Sequence, residues 1–333
     1  MHHHSRRTWR SAFSRDCSTP SAILRTALFS ILCLAITAIG GHAQQPDIRS
    51  RLLVSPVWLA QHINDPKLVL LHVGDPAEYR KEHLPGARFL SLRSIARSGM
   101  DASTTLHLEM LPADSLRSGL ESLGISDKSQ IVIYYGNDWV TPATRAVFTL
   151  DYAGLGARTV LLDGGMQAWK RNGGKVTDAP SSQTAGKLSP IEVRQNLIVD
   201  ANWIKANIGK PGLVVVDARA ASFYDGVETG KGMNGSQRTG HIAGAKSVPF
   251  TGIADDANVF RSQAELAALF ARAGVQPGDT IVGYCHIGQQ ATGTLFAARL
   301  LGHPVRLYDG SFEDWSSHTD YPVENPSQSG SRR

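Results

Sequence analysis

Ile281-Val282-Gly283-Tyr284-Cys285-His286-Ile287-Gly288-Gln289-Gln290-Ala291-Thr292-Gly293-Thr294-Leu295-Phe296-Ala297-Ala298-Arg299-Leu300 is the stretch on which the fold turns. Its first four residues are a short uncharged run of the kind buried on both faces of a sheet, Gly288 permits a tight turn, and Ala291 to Leu300 reads as a helix. Upstream, Leu213-Val214-Val215-Val216 is a second such strand, and Gln263 to Ala273 is an amphipathic helix between the two. Apolar strands alternating with helices predict an α/β domain around a parallel sheet.

The same domain occurs twice. Val57-Trp58-Leu59 matches Asn202-Trp203-Ile204, Leu70-Leu71-His72 matches Val215-Val216-Asp217, and Tyr79 matches Tyr224, all at a spacing of 145. His83-Leu84-Pro85-Gly86-Ala87 matches His241-Ile242-Ala243-Gly244-Ala245 at 158, so the second copy carries a 13-residue insertion between Asp225 and Thr239. Ile131-Val132-Ile133-Tyr134 then matches Ile281-Val282-Gly283-Tyr284, and Asp163-Gly164 with Trp169 matches Asp309-Gly310 with Trp315. A period this long belongs to a duplicated domain rather than a solenoid. The expected organisation is a leader over 1–43, a first domain over 50–176, a Ser/Thr/Ala/Pro-rich linker over 177–190, a second domain over 191–325 and a disordered polar tail over 326–333.

The leader reading rests on five arginines against one acid before an uncharged apolar stretch from Ala27 to Ile39, followed by small residues up to Ala43. About 13 strongly apolar residues fall short of the ~20 that span a bilayer as a helix. The expectation is therefore cleavage after Ala43, a periplasmic location and no stable membrane association afterwards. The whole chain holds 34 Lys+Arg and 29 Asp+Glu, but without the leader 29 stand against 28. A near-neutral chain with no basic run gives no reason to expect nucleic acid as a partner.

Cys17 and Cys33 would leave with the leader, and Cys285 is the only thiol after it. A lone cysteine in an exported chain is either an inert core side chain or a nucleophile, and the mouth of a helix is the setting for the second. The first copy has Tyr135 at the matching place, followed by Gly136-Asn137-Asp138-Trp139. It is therefore expected to be non-catalytic and to cover one face of its neighbour.

The run Tyr79-Arg80-Lys81-Glu82-His83-Leu84-Pro85-Gly86-Ala87 resembles the N-terminal signature of the rhodanese sulfurtransferases, and Tyr308-Asp309-Gly310-Ser311-Phe312-Glu313-Asp314-Trp315 resembles their C-terminal one. Asp314 departs from the glutamate usual there. The resemblance covers both repeats and implies two tandem rhodanese-like domains, each a five-stranded parallel sheet flanked by helices. It also implies that only the second domain carries the active cysteine, at the head of a six-residue loop, with Arg219 in the active-site surround.

Sulfur transfer through cysteine passes through a thiolate and a persulfide, both anions. Loop amides from His286 through Ile287, Gly288 and Gln289 to Gln290 can converge on the sulfur, and the following helix adds the positive end of its dipole. No metal or cofactor is called for. His286 either orients the donor or faces solvent, and Gln289 and Gln290 either donate to an oxyanion or close the loop. Arg219 follows a strand end and has Asp217 as an alternative ion-pair partner. His83 and His241 occur in both copies, which suits structural roles. The loop matches neither the cation-rich form typical of thiosulfate-type relatives nor the Gly-Ser form of the mercaptopyruvate type. Where both types tend to place a substrate arginine, Phe223 stands. Lys231 and Arg238 in the glycine-rich insertion are the candidate replacements, against a solvated loop. The expected activity is thiosulfate sulfurtransfer to cyanide or a thiol by double displacement through Cys285. The alternatives are mercaptopyruvate as donor, or a periplasmic persulfide carrier serving a protein acceptor.

Overall fold

The computed structural model describes residues 47–97, 106–181, 184–232 and 235–329. The leader assigned to 1–43, and residues 330–333 of the tail, lie outside them. In the first half, β1 (Leu53–Val54), β2 (Leu68–Val73), β3 (Arg88–Phe89), β4 (Gln130–Tyr135) and β5 (Thr159–Leu162) form one parallel sheet in the order β1-β5-β4-β2-β3. The second half contains β6 (Ile198–Val199), β7 (Leu213–Asp217), the hairpin strands β8 (Lys231–Gly232) and β9 (Gly235–Ser236), then β10 (His241–Ile242), β11 (Lys246–Ser247), β12 (Thr280–Tyr284), β13 (Val305–Tyr308) and β14 (Val323–Glu324). Its parallel sheet runs β6-β13-β12-β7-β11, the same order strand for strand. The repeat in the sequence is thus a repeat of topology, and the α/β expectation holds in both halves.

The central strands β4 and β12 are the apolar runs with the deepest burial, because helices cover both faces of each sheet. Helix Gln263–Arg272 starts on a reciprocal cap: Ser262 Oγ accepts from the Glu265 amide at 3.3 Å while the Ser262 amide donates to the Glu265 carboxylate at 3.0 Å. Leu266 and Phe270 are its buried face.

Helix Thr141–Tyr152 of the first half packs on helix Gln290–Leu300 of the second, and almost every residue of both is buried. A helix buried on every side is enclosed by protein, and its few polar side chains, such as Arg145 and Asp151, then need protein partners. One continuous core runs from Leu71 and Ile133 through Val147 and Leu295 to Ile281 and Cys285, so the first half closes a face of the second. His83 and His241 are structural in matching ways. Each stacks on the tyrosine of its own repeat, Tyr79 at 4.2 Å and Tyr224 at 3.6 Å, and bonds that residue's carbonyl through Nδ1.

One expectation is corrected. Residues 326–329 form a short helical turn instead of a disordered tail. The Ser327 amide donates to the Asp225 carbonyl at 3.0 Å and its hydroxyl to the Gly226 carbonyl at 3.1 Å, which ties this end to the start of the insertion. Polar composition reads as disorder only when the polar groups find water rather than backbone.

Candidate active site

Cys285 follows β12 directly and is fully buried. The backbone around it is held from outside. The Cys285 amide donates to Ser311 Oγ at 3.3 Å, and its carbonyl accepts from the Phe312 amide at 2.9 Å. The His286 carbonyl accepts from the Glu313 amide at 3.0 Å, and the Gln289 carbonyl from the Thr292 hydroxyl at 2.6 Å. Among the described residues, none of the amides of residues 286–290 donates to a protein acceptor. Five consecutive free N–H groups beside a buried thiol, with the carbonyls of residues 285, 286, 288 and 289 already taken, make an arrangement suited to an anion. Gly288 has φ +80°, and a Cβ there would stand 2.9 Å from Arg145 Nη1, so backbone conformation and space both call for glycine.

Gly288 is held by the first half. Arg145, fully buried in helix Thr141–Tyr152, donates from Nη1 to the Gly288 carbonyl at 3.1 Å and from Nη2 to Asp309 at 3.0 Å and to the Leu108 carbonyl. Asp309 also accepts from the Met110 amide at 2.7 Å, and Glu313 accepts from the His107 amide at 2.9 Å and its ring at 2.8 Å. The acids of the C-terminal motif therefore clamp residues 107–110, and Leu108 is held at φ +59° between them. The counterpart contacts run the other way. Asp163 accepts from the Phe260 amide at 3.0 Å, and Tyr135, where the first copy lacks a thiol, reaches the Asn258 carbonyl with its hydroxyl.

Arg219 is fully buried and doubly bonded to Asp217, Nε to Oδ1 at 3.0 Å and Nη2 to Oδ2 at 2.6 Å, with Nη2 also on the Gly240 carbonyl. Its guanidinium lies 4.1 Å from the centre of the Phe312 ring. Burial works against its charge, but Asp217 outweighs burial and Arg219 stays above the ordinary arginine value, with a smaller contribution from nearby Cys285. The alternative of an ion pair with Asp217 is what the structure contains, placed beside the loop.

His286 is half-buried, not solvated. Its Nδ1 bonds Gln237 Oε1 at 3.1 Å, and Phe223 meets the ring edge-on at 4.6 Å. Burial first, then Arg219, lower its pKa to about 4 against the opposing pull of Asp217, so the ring is neutral near pH 7. Ile287 and Gln289 face a cleft between the halves, and Gln290 Oε1 is buried without a hydrogen-bond partner. The insertion reaches the loop, but through Gln237. Arg238 donates to the carbonyls of His318 at 3.0 Å and Tyr321 at 2.6 Å, beyond helix Ser311–Ser317. Lys231 is exposed on the hairpin, and among the described residues no bond joins either cation to the loop. The reading of the sequence missed Arg145 and Gln237. Arg145 gave no local signal, being one cation in an apolar helix, whereas a cation buried all round is itself a demand for partners.

The first half has its own counterpart of Asp217 in His72, fully buried with no hydrogen bond at either ring nitrogen. Burial, then His83, push it down to about 4, opposed by Glu78. A histidine with a folded value below its unfolded one stabilises fully above pH 6.5 and loses that contribution as pH falls toward 4. From pH 7.5 to 5 the loss is roughly 2 kcal/mol for this one ring. Urea unfolding at both pH values is expected to show a drop in the native chain, to which His286 also contributes, and a drop about 2 kcal/mol smaller in His72→Phe. An equal drop in the two proteins would rule the ring out as its source.

The Rhodanese-like domain family model matches residues 55–172 and again 200–318. A protein of Pseudomonas aeruginosa named probable 3-mercaptopyruvate sulfurtransferase is 32% identical over 286 residues, covering 82% of this chain and 98% of its own. A thiosulfate sulfurtransferase of the same organism is 28% identical over 277 residues, covering 82% and 97%. Among solved structures, the anaerobic ergothioneine biosynthesis enzyme from Chlorobium limicola shares the fold with a TM-score of 0.72 at 21% identity, over 83% of this chain and 70% of that one. With both halves matched by the family and the relatives aligned along nearly their full length, this chain belongs to the rhodanese family of sulfurtransferases in its tandem-domain form.

Proposed function

We propose that the protein is a thiosulfate sulfurtransferase that works by double displacement through Cys285. The observation that carries this reading is the set of five unpaired amides, residues 286–290, beside a buried thiol at the start of helix Gln290–Leu300. Cys285 thiolate attacks the outer sulfur of thiosulfate, a Cys–S–S bond forms, the donor's S–S bond breaks, and sulfite leaves with the electron pair. The acceptor, cyanide or a thiolate, then takes the terminal sulfur and the cysteine thiolate is restored, so no external oxidant or reductant enters. Loop amides and helix dipole stabilise both anionic states of the sulfur. Neutral His286 is available for hydrogen bonding but not as a fixed charge.

The relative named for 3-mercaptopyruvate favours a second reading in which that compound is the donor. The two separate in one experiment. The protein is incubated with thiosulfate or with mercaptopyruvate, and intact-mass and peptide mapping locate added reducible sulfur. Loading of Cys285 by thiosulfate is the expected result. Loading by mercaptopyruvate alone would install the second reading, and loading by neither would end both. A loaded Cys285 that turns over poorly with cyanide and small thiols would point to a carrier serving a protein acceptor.

A further inference from the structure

The two sides of the catalytic loop are closed to different degrees. On the His286 side, Gln237 and Phe223 pack on the ring, and the insertion comes so near that a Cβ at Gly230 would stand 2.6 Å from His286 Nδ1. On the other side Ile287 and Gln289 line a cleft of about 650 Å³. That volume lies in the range of sites for small ligands. The opposite wall belongs to the first half, at the carboxyl ends of β2 and β3, and among the described residues it brings Arg93, Arg97 and His107 together with the carboxyl of Asp138.

Two of the second-half cations that the sequence offered for this chemistry are already engaged, Arg219 by Asp217 and Arg238 by two carbonyls. Arg93 is exposed, and among the described residues it makes no hydrogen bond or ion pair. His107 is bound to Glu313, and Asp138 is pushed above its ordinary value by burial, then by Glu78 and Asp75.

We propose that the sulfur donor reaches Cys285 through this cleft and that Arg93, with Arg97 beside it, holds the donor's anionic end. The ligand class is a small molecule with a sulfur atom next to a sulfonate or carboxylate. The inference rests on the sulfurtransferase reading above and assigns its missing cations to the half that lacks the thiol. Sulfite, or the carboxylate product of a mercapto acid, departs along the same arginines. Binding that is alike in the ground and transition states alters KM and leaves kcat.

The test uses Arg93→Glu and Lys231→Glu in the full chain with each donor. Arg93→Glu is expected to raise the KM of the working donor by roughly tenfold or more, with kcat within about twofold. Lys231→Glu is expected to shift KM by less than about twofold. Added salt should raise KM in the native protein and much less in Arg93→Gln, because exposed charge attraction is screened. An unchanged KM in Arg93→Glu, or a large rise in Lys231→Glu instead, would overturn the assignment. Intact mass at saturating donor separates the two levels: a loaded Cys285 with a silent Arg93 ends only the cleft assignment. An unloaded Cys285 in the native protein ends the sulfurtransferase reading, and the assignment with it.

Discussion

Cys285→Ser is expected to lower sulfur transfer by roughly four orders of magnitude or more and to abolish the mass gain on incubation with donor. The magnitude is that of removing a covalent nucleophile, where the remaining site still binds but the two-step path is gone. The exchange is nearly isosteric, and the backbone contacts of residue 285, to Ser311 Oγ and the Phe312 amide, do not involve the side chain. Circular dichroism and the unfolding transition should therefore stay close to those of the native protein. Turnover above a hundredth of native by the serine protein, with fold intact, would place the chemistry elsewhere.

Arg145→Met is expected to destabilise the protein by about 3–5 kcal/mol and to cut kcat far more than it raises KM. The stability figure is the cost of breaking a buried pair while one charge stays behind, here Asp309. Met110 still donates to Asp309 at 2.7 Å, which leaves the carboxylate only partly compensated. The kcat effect follows from release of the Gly288 carbonyl, since Arg145 acts on the loop and not on the reacting sulfur. It is a positioning residue. Arg145→Lys should recover part of the stability through its charge and little of kcat, because an ammonium lacks the fork that reaches Gly288, Asp309 and Leu108 together. Arg145→Met with Asp309→Asn should cost less than the sum of the single changes, as neighbours in one network do. Native kcat in a folded Arg145→Met protein would show the first half to be only a cover.

The sheets, the duplication and the position of the cysteine were legible in the chain. Buried parallel strands such as Ile131–Tyr134 and Ile281–Tyr284 announce themselves as uninterrupted apolar runs, because each residue's burial is set by neighbours one or two positions away. The same locality made Cys285 and its turn readable, and Tyr135 showed which half lacks a thiol. Where the cations go was another matter. Lys231 and Arg238 were drawn toward the site by their place in an insertion, yet Arg238 found two carbonyls near the end of a helix eighty residues on. The loop's actual supports are Arg145, 143 positions before Gly288, and Gln237, 49 before His286. Periodicity reports which face of an element is buried. It cannot report which distant polar group will lie opposite once two sheets and their helices have packed, and a buried charge or amide takes its role from that partner. The sequence by itself determined two rhodanese-type halves and which of them carries a cysteine. Only the tertiary structure decided that the half without the thiol holds the loop after Cys285 and walls its cleft, because the packing of helix Thr141–Tyr152 on helix Gln290–Leu300 sets those distances.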